Sequence, residues 1–396
     1  MTALLGGLTP EAFLAEYWQQ RPLLVRGAFE RLPVAISPEE LAGLALESDV
    51  ESRVVMGETA REDWMVVHGP FEAEFFTETP DDDWTLLVQD VDKHLPAFAA
   101  MLAPFRFLPD WRIDDLMVSY AAPGGTVGPH LDRYDVFLIQ ASGHRRWKIQ
   151  QPAPAHERLR DHPQLRLLAD FEATDEWVLG PGDMLYLPPG VPHYGIAEDD
   201  CVTYSVGFRA PSGPELLAAW ATERQAAPGD DDRYRDPPGA TATPGALSAD
   251  TLAALRRLVR EAAAAPDATL DDWIARHLTE PKPAFRQLHA TGNNDADAIA
   301  ARLAAGETAH LNPAVRLLIA DTASGRAVYI HGELAEVAAP AHAVAERLAH
   351  HHRLEHADLP AAGAGRDTAL ELLARWRGYG YVLFDEDLED VESDEH

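Results

Sequence analysis

Short apolar runs, separated by Pro and Gly, fill the first 212 positions of the 396-residue chain. LLVRG (23–27), WTLLVQDV (84–91), DLMVSYA (115–121), DVFLIQ (135–140), RRWKIQ (145–150), DMLYLP (183–188) and CVTYSVGF (201–208) predict strands. Many short strands with turn signals between them predict a sandwich or barrel. One segment has a different period. In EAFLAEYWQQRP (11–22), Phe13, Leu14, Tyr17 and Trp18 recur at helical spacing, and Pro22 ends the run.

After position 212 the pattern turns helical. PELLAAWATERQ (214–225) and ADTLAALRRLVREA (249–262) predict helices, and LDDWIARHL (270–278) sets Leu270, Trp273, Ile274, His277 and Leu278 along one face. This is more apolar surface than one short helical layer buries, so the helices pack on the barrel or dock onto a second subunit. Between the first two, APGDDDRYRDPPGATATPG (227–245) reads as a mobile loop. Further on, a helix (295–305), a hairpin in which VRLLIAD and RAVYIHG flank TASG, two helices and a strand YVLF (381–384) predict a small α+β unit. The acidic run DEDLEDVESDEH predicts a solvated, disordered tail. The expected divisions are therefore 1–212, 213–282, 283–384 and 385–396.

Charge narrows the choice of partners. The formal net charge is −32, and only Lys93, Lys148 and Lys282 among the 33 basic residues are lysines. Such a chain repels nucleic acid and anionic membranes and tolerates a basic partner. It also suits an acidic surface adapted to high salt, where self-repulsion is screened. No apolar run is long enough for a bilayer, and MTALLGGLTPEAF lacks the basic-then-apolar order of a secretory signal. A single cysteine, Cys201, forms no internal disulfide, which fits a cytoplasmic location.

The candidate chemistry begins in GPHLDRYDVFLIQ (128–140). Read as one strand, it projects His130 and Asp132 to the same side. That pair alone is a weak motif. GPGDMLYLPPGVPHYG (180–195) adds a third group, because Pro188, Pro189 and Gly190 stiffen the loop that presents His193. Two imidazoles and one carboxylate on one face leave three octahedral positions open, as in non-haem Fe(II) oxygenases; tetrahedral zinc is the competing metal. After a turn through ASGH the chain returns as RRWKIQ, which puts Arg145 on the neighbouring strand. A guanidinium there suits the far carboxylate of a co-substrate chelating iron; from the residues alone, Arg146 and Lys148 remain its rivals.

Together these stretches resemble the cupin-type JmjC oxygenases that depend on Fe(II) and 2-oxoglutarate. They resemble most closely the bacterial ribosomal oxygenases that hydroxylate an arginine of large-subunit ribosomal protein L-sixteen. YWQQRPLLVRGAF, SPEELAGLALESDVESR, GPFE, WTLLVQ, FRFLPDWRIDDLMVSY, PGGTVGPHLDRYDVFLIQ, GHRRWKI, PGDMLYLPPGVPH and YSVGFRAP carry the resemblance across 11–212. It implies iron ligands His130, Asp132 and His193, and Arg145 as partner of the distal 2-oxoglutarate carboxylate. Ser119 matches a position supporting that carboxylate, and Thr203 one that is often polar near the co-substrate. The implied fold is a double-stranded β-helix, followed by a helical dimerisation region and a winged-helix-like domain that is not expected to bind DNA. The implied reaction uses dioxygen to 3-hydroxylate an arginine of a basic ribosomal protein.

Substrate contacts are open to several residues. Tyr134 shares the face of Asp132 if the strand continues, and Asp114 or Asp115 can receive a guanidinium. A histidine hydroxylase or a demethylase uses the same scaffold. A catalytically silent cupin usually loses a ligand or the co-substrate cation, and all four are present here. Other features carry less. PGGTVG (123–128) lacks the ending of a phosphate loop, and His352 and His356 have zinc-like spacing without an acidic or cysteine partner. His144 is expected at the surface and Cys201 in the core.

Overall fold

The structure, a computed structural model, describes residues 3–57, 64–226, 233–235, 247–290 and 292–389. The loop expected at 227–245 lies outside them except for 233–235. The strands are β1 (Leu23–Val25), β2 (Ser52–Met56), β3 (Met65–His68), β4 (Trp84–Val88), β5 (Ile113–Ala121), β6 (Val136–Ser142), β7 (Arg145–Ile149), β8 (Asp175–Leu179), β9 (Met184–Leu187), β10 (His193–Ala197) and β11 (Cys201–Phe208). They form an antiparallel sheet of order β1-β9-β6-β11-β5-β4-β2-β3 and a second of order β10-β7-β8. This is the double-stranded β-helix expected from the sequence.

All eight residues of β11 are buried, yet its two faces differ chemically. Val202, Tyr204, Val206 and Phe208 join a core that includes Phe13, Phe105, Phe137 and Tyr186. Rings there meet at 4.7 Å (Phe105–Phe137) and 4.9 Å (Phe137–Tyr186), and each buried side chain contributes roughly 2–3 kcal/mol. The other face carries Thr203 and Ser205. Thr203 pairs with Ser119 of β5, which accepts a hydrogen bond from Arg145 of β7, so this polar face looks toward the smaller sheet. A polar interior between two sheets makes room for a ligand.

Three expectations need correcting. The first helix is only Pro10–Glu16, because Gln19 takes φ 59 and donates its N–H to the Tyr186 hydroxyl at 2.7 Å. The run through 130–140 is not one strand: β6 begins at Val136, and Asp132 and Tyr134 lie in the connection before it. Nor does β7 pair with β6. It crosses to the smaller sheet between β10 and β8.

The chain divides into two compact units, one of Met1–Ala210, Pro281–Arg316 and Ala338–His396, the other of Pro211–Glu280 and Leu317–Val337. In the second, helices Gly213–Ala226, Ala249–Ala263 and Asp267–Thr279 accompany the hairpin Leu317–Thr322 and Gly325–Ile330. Tyr329 donates to Asp272 at 3.2 Å, and Trp220 meets Trp273 at 5.1 Å. Helix Ala249–Ala263 buries none of its residues, and Val259 is 70% exposed. No helix among the described residues is long and apolar enough to cross a membrane.

In the first unit, the expected unstructured tail starts instead as a helix, Asp385–Glu389; residues 390–396 lie outside the description. Asp387 accepts from the fully buried Arg377 at 2.8 Å, and Asp385 lies 2.8 Å from His310. Asp387→Ala leaves that guanidinium buried without its carboxylate. It should cost about 3–5 kcal/mol, read as a lowered midpoint in urea unfolding.

Candidate metal centre and anion pocket

His130 and His193 face each other across the two sheets through reciprocal backbone bonds. His130 N–H donates to His193 O at 3.0 Å, and His193 N–H to His130 O at 2.8 Å. Each ring is then fixed by its own chain. His130 Nδ1 lies 2.9 Å from Gly128 O, and His193 Nδ1 lies 3.0 Å from Val191 O. A carbonyl only accepts, so both Nδ1 atoms carry the proton and both Nε2 atoms present a lone pair. His193 is 2% exposed; burial and the neighbouring His130 push its pKa down to about 4, which keeps the imidazole neutral.

Asp132 completes the group from a loop rather than a strand. The Gly190 N–H donates to its carbonyl at 2.7 Å. Downstream, the buried Asp135 accepts from Tyr186 OH at 2.6 Å and Arg112 at 3.1 Å, which anchors the loop end. Asp132 Oδ2 thereby comes within 3.5 Å of His193 Nε2, and the three ligand atoms lie within 4.8 Å of one another. It is the one such cluster among the described residues. Two imidazole nitrogens and one carboxylate oxygen fit a six-coordinate divalent ion such as Fe(II) with positions to spare.

Arg145 is 3% exposed and forms no ion pair with a described residue. Its Nη1 donates to Ser119 Oγ at 3.4 Å, its Nε has no partner, and burial lowers its pKa. A buried guanidinium without a carboxylate costs several kcal/mol, so the pocket fits an anion brought by a ligand. Its rivals face outward: Arg146 pairs with Glu176 and Glu198, and Lys148 with Glu176 at 3.7 Å. Thr203 is buried beside Ser119 but spends its hydroxyl on Gln140 at 3.2 Å.

Two residues missed by sequence reasoning complete the pocket. The Trp147 ring lies 5.2 Å from the Arg145 guanidinium and 5.9 Å from the His193 ring, and its buried Nε1 has no partner. Gly195 pairs with Trp147, and a Cβ there would sit 2.8 Å from Arg145 Nε. Trp147 lies two positions after Arg145 on the same strand, a signal that same-face alternation offered.

At the opposite end of this face of β5 lies Asp115, paired with Gly207. A Cβ on Gly207 would be 3.4 Å from Asp115 Oδ1 and 3.9 Å from the Tyr134 ring, so the glycine keeps open a gap between them. Tyr134 is 42% exposed and reaches this gap from a bend, not by strand alternation with Asp132. Asp114 is turned elsewhere, with Oδ1 3.0 Å from Arg316. Outside the site, His352 lies 3.2 Å from Asp110, His356 pairs with Arg366, His144 is exposed beside Asp199, and Cys201 is buried.

The JmjC domain model matches residues 100–216, an AraC-like ligand binding domain model 172–278, and a ROXA-like winged helix model 255–381. Ribosomal protein uL16 3-hydroxylase of Escherichia coli is 48% identical over 53% of this chain and 55% of that relative. A probable ribosomal oxygenase of Haemophilus influenzae is 39% identical over 53% of this chain and 52% of its own. These alignments span about half the length of the curated relatives. The solved structure of E. coli YcfD superposes with TM-score 0.77 at 35% identity, over 96% of this chain and 98% of that one. Another structure of that ribosomal oxygenase, at TM-score 0.74 and 34% identity over the same shares, is a complex with cobalt and 2-oxoglutarate. The chain belongs to the bacterial JmjC ribosomal oxygenase family.

Alanine at His130, Asp132 or His193 should lower Mn(II) affinity by at least ~100-fold, measured by calorimetry or by the EPR signal of free Mn(II).

Proposed function

We propose that this chain is an Fe(II)- and 2-oxoglutarate-dependent protein hydroxylase that 3-hydroxylates an arginine of large-subunit ribosomal protein uL16. The observation that carries the reading is Arg145, a buried guanidinium without a counter-ion among the described residues, in the same polar interior as the His-Asp-His cluster. The name of the E. coli relative supports the substrate, and the cobalt and 2-oxoglutarate complex of YcfD supports the cofactors. The assignment of His130, Asp132 and His193 as ligands, with Arg145, Ser119 and Thr203 toward the co-substrate, belongs to this reading.

The bound iron would supply the oxidising chemistry, coupling dioxygen and the decarboxylation of 2-oxoglutarate to hydroxylation of a C–H bond. The chain supplies position. Arg145 and Ser119 grip the distal carboxylate, and the Nε2 atoms of both histidines stay aimed at one point. Trp64 and Leu167 pack together as an apolar cluster against Gly128, two positions before His130. Asp115 accepts the substrate guanidinium while Tyr134 lines its path. The strongly acidic chain favours a basic ribosomal protein. Residues 1–212 form the catalytic domain, helices of 213–282 join two copies through exposed side chains such as Val259, and 283–384 form a winged helix that binds no DNA. The protein works in the cytoplasm, away from membranes.

With a uL16 fragment, wild type should add one oxygen to an arginine and His130→Ala should add none, by mass spectrometry of the digested product. Oxygen on a histidine, or loss of a methyl group, would move the assignment to the rival chemistries. Absence of both hydroxylation and 2-oxoglutarate turnover would leave a silent binding module.

A further inference from the structure

Two of the three lysines in this lysine-poor chain meet at the Asp115 end of β5. Lys93 Nζ lies 2.6 Å from Asp90 Oδ1 and 3.4 Å from Asp92 Oδ2, and donates to the Asp114 carbonyl at 2.9 Å. Lys282 Nζ contacts both Asp90 oxygens, at 2.8 and 3.1 Å, and lies 3.6 Å from Asp114 Oδ2 and 3.8 Å from Asp115 Oδ2. Asp90 in turn donates its backbone N–H to Asp115 Oδ2 at 3.2 Å. Lys282 therefore acts on Asp115 directly and through Asp90. Both routes engage Oδ2 and leave Oδ1 toward the gap at Gly207 and Tyr134.

The mount is stiff. Lys282 sits between Pro281 and Pro283, and the following Phe285 is buried with its ring 4.9 Å from that of His94. Both prolines limit the backbone, so the ammonium is delivered to one place. Neither the metal cluster nor the Arg145 pocket uses it.

We propose that Lys282 is a positioning residue for substrate choice: it keeps the Asp115 carboxylate ionised and turned toward the site mouth, so that a cationic side chain is accepted near neutral pH. This deepens the arginine reading above and rests on it. Burial drives the Asp115 pKa up to about 6, with Asp90 and Asp114 adding to the rise, while Lys282 and then Lys93 oppose it. Tyr134 faces the same carboxylate, and Arg316 and Arg209 reach Asp114 beside it. Removing the Lys282 charge deletes the leading opposing contribution, so Asp115 holds its proton to higher pH. The site then attracts a guanidinium less at neutral pH and regains that attraction as pH rises.

The test uses the full chain as Lys282→Met, Lys282→Gln and Lys282→Arg, with Asp115→Asn to identify the Asp115 signal. In the metal-free protein, carboxylate infrared or 13C NMR should show the Asp115 midpoint raised by about one pH unit in both neutral variants and restored in Lys282→Arg. In the iron-loaded enzyme, KM for an arginine peptide should rise about twofold at about pH 7 and approach about tenfold toward about pH 5, recovering at higher pH, with kcat within about twofold. An unmoved midpoint in either neutral variant, folded by circular dichroism, overturns the proposal, as does a KM increase independent of pH. A raised midpoint in a protein whose wild type leaves arginine peptides untouched supports the role of Lys282 and overturns the arginine reading instead.

Discussion

Two backbone hydrogen bonds between His130 and His193 hold the site together. They tie the entry of β10 in the small sheet to the connection that leads into β6 in the large one. Because each residue donates to and accepts from the other, their side chains have little freedom in relative position. The carbonyls of Gly128 and Val191 then choose the tautomer, and Asp132 needs only a short anchored loop to close the group. The candidate metal cluster is thus a product of strand pairing at one point, and its carboxylate follows from the buried anchor at Asp135.

The electrostatics run from one end of the polar face to the other. At Ser119 a buried cation has no anion among the described residues; at Asp115 a buried anion is balanced by lysines behind it. Between them β5 and β11 run paired, with Thr203 opposite Ser119, Ser205 opposite Met117 and Gly207 opposite Asp115. Four residues of strand separate the two ends by roughly 13 Å. On the proposed reading, an anionic co-substrate and a cationic substrate meet matching charges at opposite ends of this face. An overall charge of −32 makes a buried guanidinium without a carboxylate among the described residues all the more distinctive.

Much of this was legible in the chain. Alternation in DLMVSYA and CVTYSVGF located β5 and β11, and the stiff PPGVPH segment located His193. The choice of Arg145 over Arg146 and Lys148 was not legible, since strand alternation says which residues share a face but not which face looks inward. The connection 129–135 looked like strand because Val136–Ser142 follows it without a break in hydrophobicity; tertiary anchoring of Asp135 stops the strand there. Strands β8 and β10 were hidden by their polar or glycine-containing sequences, DEWVL and HYGIA. The roles of Gly195 and Gly207 depend on neighbours far away in sequence, which no local pattern records.

The most direct check is a crystal structure of the protein with Mn(II) and N-oxalylglycine, an unreactive analogue of 2-oxoglutarate. The account predicts one ion bound by His130 Nε2, Asp132 and His193 Nε2, with the far carboxylate of the analogue on Arg145 and Ser119. An ion bound elsewhere, or an analogue whose distal carboxylate ignores Arg145, would contradict it.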